Sequence, residues 1–80
     1  MPARFVALEP DKLRIASVAF KEAKAVLQPE LPDIFEDRLD KDIADCILAG
    51  IHNGNANPYL LRDVCVDCLR RRYNGSSNVA

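Results

Sequence analysis

Between Asp33 and Arg72 the apolar positions recur at three- and four-residue intervals in two blocks, separated by the polar run His52-Asn53-Gly54-Asn55-Ala56-Asn57. In the first block Phe35, Leu39, Ile43, Cys46, Ile47 and Gly50 share one stripe, the recurrence that turns one face of a helix toward a core. In the second, Leu61, Val64, Cys65, Cys68 and Leu69 do the same. Cap chemistry marks the ends. Gly54 suits the left-handed residue that closes a helix, and Asn57-Pro58 pairs an N-cap with a proline at the first helical position. The pattern predicts helix 2 over 33–52 and helix 3 over 58–73, folded as an antiparallel hairpin. Asn74-Gly75 reads as the stop of helix 3, with 74–80 a flexible tail.

Upstream, Pro10 opens a run of good helix formers that reaches Gln28, and Pro29-Glu30-Leu31-Pro32 reads as a stiff connector. Helix 1 is therefore predicted over 10–28, after an arm at 1–9 whose apolar run is Phe5 to Leu8. At ~100° per residue, Arg14, Ser17, Lys21 and Lys24 gather within about 80° of arc, and apolar residues fill most of the rest. Leu13, Ala16, Phe20, Ala23 and Leu27 form one strip. Ile15, Val18, Ala19, Ala25 and Val26 form another, interrupted by Glu22. A hairpin covers one strip, so the second calls for the N-terminal arm or a second copy of the chain. Those last five residues are the candidate interface. The expected fold is all-α, a single three-helix domain with helix 1 packed on the helix 2/helix 3 hairpin.

Length sharpens the case for a partner. Eighty residues bury only about 60% of the surface the unfolded chain exposes, and natural scaffolds of that size add disulfides, a metal or another subunit. The 11 basic and 12 acidic residues nearly cancel, which argues against disorder and against general polyanion binding. No N-terminal secretory pattern is present, and no apolar run approaches the ~20 residues of a membrane span, so a cytoplasmic location is expected. Three cysteines, an odd number, sit inside apolar patterns, which argues for a reducing compartment over a secreted disulfide framework.

Four features invite a chemical reading. Residues 30–45 hold seven acids against two bases, and Arg70-Arg71-Arg72 follow in helix 3. Both blocks complement helix dipoles, and the hairpin brings the arginines among the acids, so ion pairing between helices is preferred to a recognition role. Cys65-Val66-Asp67-Cys68 is a CxxC that Cys46 and His52 could complete as a zinc site. In a closed hairpin, however, His52 lies on the order of 15 Å along the axis from Cys68, so buried apolar cysteines and no metal are expected. His52 suits a capping role at the end of helix 2. No nucleophile–base set, phosphate loop or paired carboxylates can be assembled, so neither an enzyme nor a cofactor is expected. A helix-turn-helix reader would have a shorter turn than this loop and would offer Arg62 alone in the first half of its second helix.

The segment from Ile43 to Val64, with its Ala/Ile/Leu-rich helix, Gly50, polar loop, Pro58 and Leu61-Arg62-Asp63, resembles the C-terminal part of small helical proteins frequent in α-proteobacteria. The helix over 11–27 is similar to theirs. The likeness implies a bacterial, cytoplasmic, all-helical protein, and it carries over no activity and no functional residue. The cysteines and Asn55-Ala56-Asn57 depart from that pattern. The functional expectation is a non-enzymatic protein–protein interaction module, self-associating as a homodimer and binding another protein through helix 1 or the acidic face of helix 2. The alternative is a nucleic-acid-associated regulator using Arg62 and Arg70 to Arg72.

Overall fold

A computed structural model describes residues 8–78, with side chains as far as Tyr73. Three helices follow one another, α1 (Pro10–Glu30), α2 (Glu36–His52) and α3 (Pro58–Asn78), and each packs against the other two. No strand occurs among the described residues. The chain is the expected three-helix all-α domain. Of the apolar arm, Phe5 to Ala7 lie outside the described residues, whereas Leu8 packs on the core.

Helix α1 starts as predicted, with Pro10 at its first position and the Leu13 N–H on the Glu9 carbonyl at 2.7 Å. It runs two residues past its predicted end. Pro29 lies inside the last turn, where it forgoes a single bond to the carbonyl of the exposed Ala25, and the Leu31 N–H closes on Leu27 at 2.9 Å. Pro32 is the effective stop, since it disfavours helix in Leu31, which leaves with φ −125°.

Helix α2 begins three residues later than predicted. Residues 32–34 turn, with the Ile34 N–H on Leu31 at 3.2 Å, and Phe35 takes the N-cap position at φ −58° and ψ 138°. Because Phe35 precedes the helix, it leaves the predicted stripe and stands 84% exposed. At the other end the Gly54 N–H bonds Ile51 and the Asn55 N–H bonds Gly50, both at 3.0 Å, with Gly54 at φ +91°. That is the paired closure a left-handed glycine permits. Backbone donors therefore close this end, rather than the imidazole of His52, which is exposed.

Helix α3 is capped by Asn57, whose Oδ1 accepts the N–H groups of Tyr59 and Leu60 at 2.9 and 3.2 Å. Its backbone continues to Asn78, beyond the predicted stop at Asn74-Gly75. A glycine permits a left-handed exit without forcing one, and no proline follows to enforce it.

The core corrects the assignment of faces. Its α2 wall is Leu39, Ile43, Ile47 and Ile51 at four-residue spacing with Ala44, and its α3 wall is Leu61, Cys65, Val66 and Leu69. Helix α1 contributes Ala16, Ala19, Ala23 and Leu27, all fully buried. Three of those four are alanines, which lets α1 settle into the groove between its neighbours. The buried arc of α1 is thus centred between the two predicted strips, and Ala19 belongs to the core while Phe20 is half-buried at its edge. Helix α3 likewise meets two neighbours, so its buried arc rotates toward Val66 and leaves Val64 and Cys68 exposed.

Candidate functional site

The five residues predicted as an interface on α1 divide when placed in the fold. Ala19 is buried, Ile15 and Val26 pack against the core, Val18 is half-buried and Ala25 is exposed. Val26 faces α3, lining a shallow groove with Arg62, Asp63, Val66, Asp67 and Arg70. The five therefore do not share one outer face, because the hairpin packs against α1 from both sides.

The large exposed apolar side chains lie elsewhere. Among the described residues, apart from Phe35, they are Tyr59, Leu60 and Val64, exposed by 54%, 50% and 53% on the first half of α3. Leu60, Val64 and Cys68 recur every four residues and form one outward ridge, since each step of four turns a helix by only ~40°. A signal for this ridge exists in the sequence. Tyr59-Leu60-Leu61 and Val64-Cys65-Val66 are apolar triplets, and three consecutive residues spread over more of a helix than one core can cover.

The charged groups are largely engaged within the chain. Arg70 clasps Glu30 of α1 with a 2.8 Å Nε–Oε2 bond, Arg71 reaches Asp67 at 3.1 Å, and Arg72 lies 3.8 Å from Asp42 of α2. Arg62 is held by Asp63 at 2.9 Å and approaches Glu22 of α1 at 3.6 Å, with its guanidinium 5.4 Å from the Tyr59 ring centre. Lys24 of α1 meets Glu36 at 2.7 Å and Asp40 at 3.1 Å. The Lys24 ammonium is accordingly raised above its ordinary range, chiefly by its hydrogen bond to Glu36, and the same bond lowers the Glu36 carboxyl. The bond from Arg70 lowers Glu30 in the same way. Tyr73 donates its hydroxyl to Asp42, and burial followed by that bond raises the phenol.

Beside Asp42 the hairpin gathers the three cysteines, all free thiols. Cys65 is 1% exposed and points its Sγ at the Ile43 carbonyl at 3.8 Å, Cys46 is half-buried, and Cys68 is exposed. The prediction of buried cysteines thus holds for Cys65 and fails for Cys68, because of the same rotation of α3 that exposes Val64. The thiols interact. Donation from Cys65, then from Cys68, and the nearby Arg72 charge together lower the Cys46 thiol to about 6, against the opposing effects of burial and Asp42. The neighbouring Cys46 and then deep burial push the Cys65 thiol up, and Cys68 is raised by burial and by the charge on Cys46. His52 stands apart at the loop end, and among the described residues no group of three or more His, Cys, Asp or Glu is arranged to hold a metal ion. None of the described helices is long and apolar enough to cross a membrane.

No family model, curated protein or solved structure matches the chain. The functional reading therefore rests on the two features α3 presents outward, its apolar ridge and its share of the thiol cluster.

Proposed function

We propose that the chain is a non-enzymatic helical interaction module that acts as a homodimer, with α3 of one copy docked antiparallel on α3 of the other. The observation that carries this reading is the ridge of Leu60 and Val64, each about half exposed, with Tyr59 beside it. Such a ridge is self-complementary. With the two-fold axis passing level with Arg62, Leu60 of each copy meets Val64 of the other, the reciprocal contact that an isologous interface requires. The exposed Cys68 then comes level with the exposed Ala56 of the other copy. Arg71 falls near the other copy's loop at 53–57, where the carbonyl end of α2 favours a cation.

A second subunit also supplies what the core lacks. The fully buried part of its α1 wall is three alanines and one leucine, and a small domain gains from any further apolar surface it can cover. The ion pairs favour this reading over the nucleic-acid alternative, since Arg62, Arg70, Arg71 and Arg72 each have a carboxylate partner that phosphate would have to displace.

Sedimentation equilibrium at micromolar concentration tests the proposal. The native chain should dimerise, and Val64→Glu should weaken association by about tenfold or more, the effect of ~1.4 kcal/mol, with helicity retained. Val18→Glu on α1 should leave association unchanged. Loss of association with Val18→Glu but not with Val64→Glu would move the interface to α1, and a monomer at all concentrations would end the dimer reading.

A further inference from the structure

The hairpin sets a cysteine on α2 opposite two on α3, and its register can be read without reference to the thiols. Gly50 lies against Leu61, and Asp42 lies against Arg72 and Tyr73. Counting four residues back from Gly50 and four forward from Leu61 brings Cys46 level with Cys65, and counting four forward from Asp42 and four back from Arg72 brings it level with Cys68. Cys46 thus faces the stretch of α3 between Cys65 and Cys68, and the electrostatic influence of both thiols on Cys46 is in keeping with that register. The two partners differ in access. Cys65 is sealed in the core with its sulfur directed at the Ile43 carbonyl, whereas Cys68 is open to solvent and Cys46 is half open.

We propose that Cys46 and Cys68 form a reversible dithiol site, in which a hydroperoxide oxidises the Cys46 sulfur and Cys68 resolves it to a disulfide bridging α2 and α3. In the first step the Cys46 thiolate attacks the peroxide. A sulfur–oxygen bond forms, the oxygen–oxygen bond breaks, and the departing hydroxide or alkoxide takes a proton from solvent, so that sulfur is oxidised by two electrons and the peroxide is reduced. In the second, the Cys68 sulfur attacks the sulfenic sulfur. A sulfur–sulfur bond forms, the sulfur–oxygen bond breaks, and the released hydroxide leaves as water with the Cys68 proton. The balance is two thiols and one hydroperoxide giving one disulfide, one alcohol or water, and one further water.

The environment suits the roles. A reactive thiol is a partly exposed one whose thiolate is stabilised by donors and positive charge. Cys46 has the thiols of Cys65 and Cys68 and the Arg72 guanidinium facing it from α3, with Asp42 on its own helix the opposing charge. Cys65, with its S–H directed at the Ile43 carbonyl, stays sealed in the core and is not consumed.

The test uses the full chain treated with hydrogen peroxide, followed by thiol blocking, proteolysis and mass spectrometry. The expected product is an intramolecular Cys46–Cys68 link with loss of two hydrogens, restored to thiols by dithiothreitol. In Cys68→Ser, whose exposed position keeps the fold intact, Cys46 should instead accumulate as a sulfenic acid captured by dimedone, and Cys46→Ala should lose both products. Modification of Cys46 should persist as the pH falls to about 6 and fade below it, whereas in the urea-unfolded chain it should fade below about 8.5. A Cys46–Cys65 link, a link only between chains, dimedone capture at Cys68 in Cys46→Ala, or three unreacted thiols would each overturn the proposal.

Discussion

Gly50→Ala sets two well-defined effects against each other. In a helix interior the change ordinarily stabilises by about 0.5–1 kcal/mol, because alanine loses less conformational freedom on folding. Here, however, the new Cβ would stand 2.3 Å from Leu61 Cδ2, and Leu61 is only 2% exposed. The leucine cannot swing into solvent, so it must leave its rotamer or α2 and α3 must separate, at a cost of about 1–3 kcal/mol for an overpacked core. The clash prevails, and Gly50→Ala should destabilise the domain by about 1 kcal/mol, lowering its melting temperature by roughly 4–8 °C. Leu61→Val withdraws the clashing atoms at a cost of its own. In that background the glycine change should become neutral or stabilising, a coupling of about 1–2 kcal/mol between residues in contact. Urea denaturation of the four proteins, followed by far-ultraviolet circular dichroism, measures the cycle. A stabilising Gly50→Ala in the native background, or additive effects across the cycle, would show that the two helices do not approach at Gly50 as described.

Other positions give independent checks by the same unfolding assay. Gly54→Val should cost roughly 1 kcal/mol or more, because Gly54 sits at φ +91°, and nothing stands within 4 Å of its missing Cβ, so the penalty is conformational alone. Asn57→Ala should cost about 1 kcal/mol by removing the acceptor of two N–H groups at the start of α3. Leu69→Ala, at a fully buried site, should cost about 2–5 kcal/mol, more than Phe20→Ala at the half-buried edge of α1. The carboxyls of Glu30 and Glu36 are lowered in the folded chain by Arg70 and Lys24, so their contribution is present above their ordinary value of 4.5 and is lost as the pH falls through the lowered values. Glu30→Gln should flatten the acid limb of a stability–pH curve, and an unchanged limb would mean that the clasp with Arg70 contributes nothing in solution.

Cap chemistry was the most legible part of the sequence. Gly54, Asn57 and Pro58 locate the loop between α2 and α3 to the residue, since each has a local reason to be where it is. Prolines were legible in kind but not in effect, because whether Pro29 or Pro32 ends α1 depends on one tolerable missing bond near a helix end. Faces were the least legible. Periodicity places Val64 and Cys68 beside Leu61 and Leu69, yet a helix that touches two neighbours buries an arc whose centre lies between them. That geometry drew in Ala19 and Val66 and left Val64 and Cys68 outside. The same rotation hid the candidate site, for Val64 of the apolar ridge and the open thiol of Cys68 are both residues that a single-stripe reading assigns to the core. Of the three arginines expected to meet the acids of α2 across the hairpin, Arg72 does so at Asp42, whereas Arg71 pairs with Asp67 of its own helix and Arg70 with Glu30 of α1. The partner Glu30 was not foreseeable, because it depends on α1 continuing past Pro29.

The central claim is that α3 offers the chain's self-association surface, and a dilution series followed by heteronuclear nuclear magnetic resonance tests it most directly. Amide and methyl signals of Tyr59, Leu60, Val64 and Cys68 should move together with concentration and follow one dimerisation curve, while those of Val18 and Ala25 stay fixed. Shifts that map to Val18 and Ala25 instead, or spectra that do not change with concentration, would contradict it.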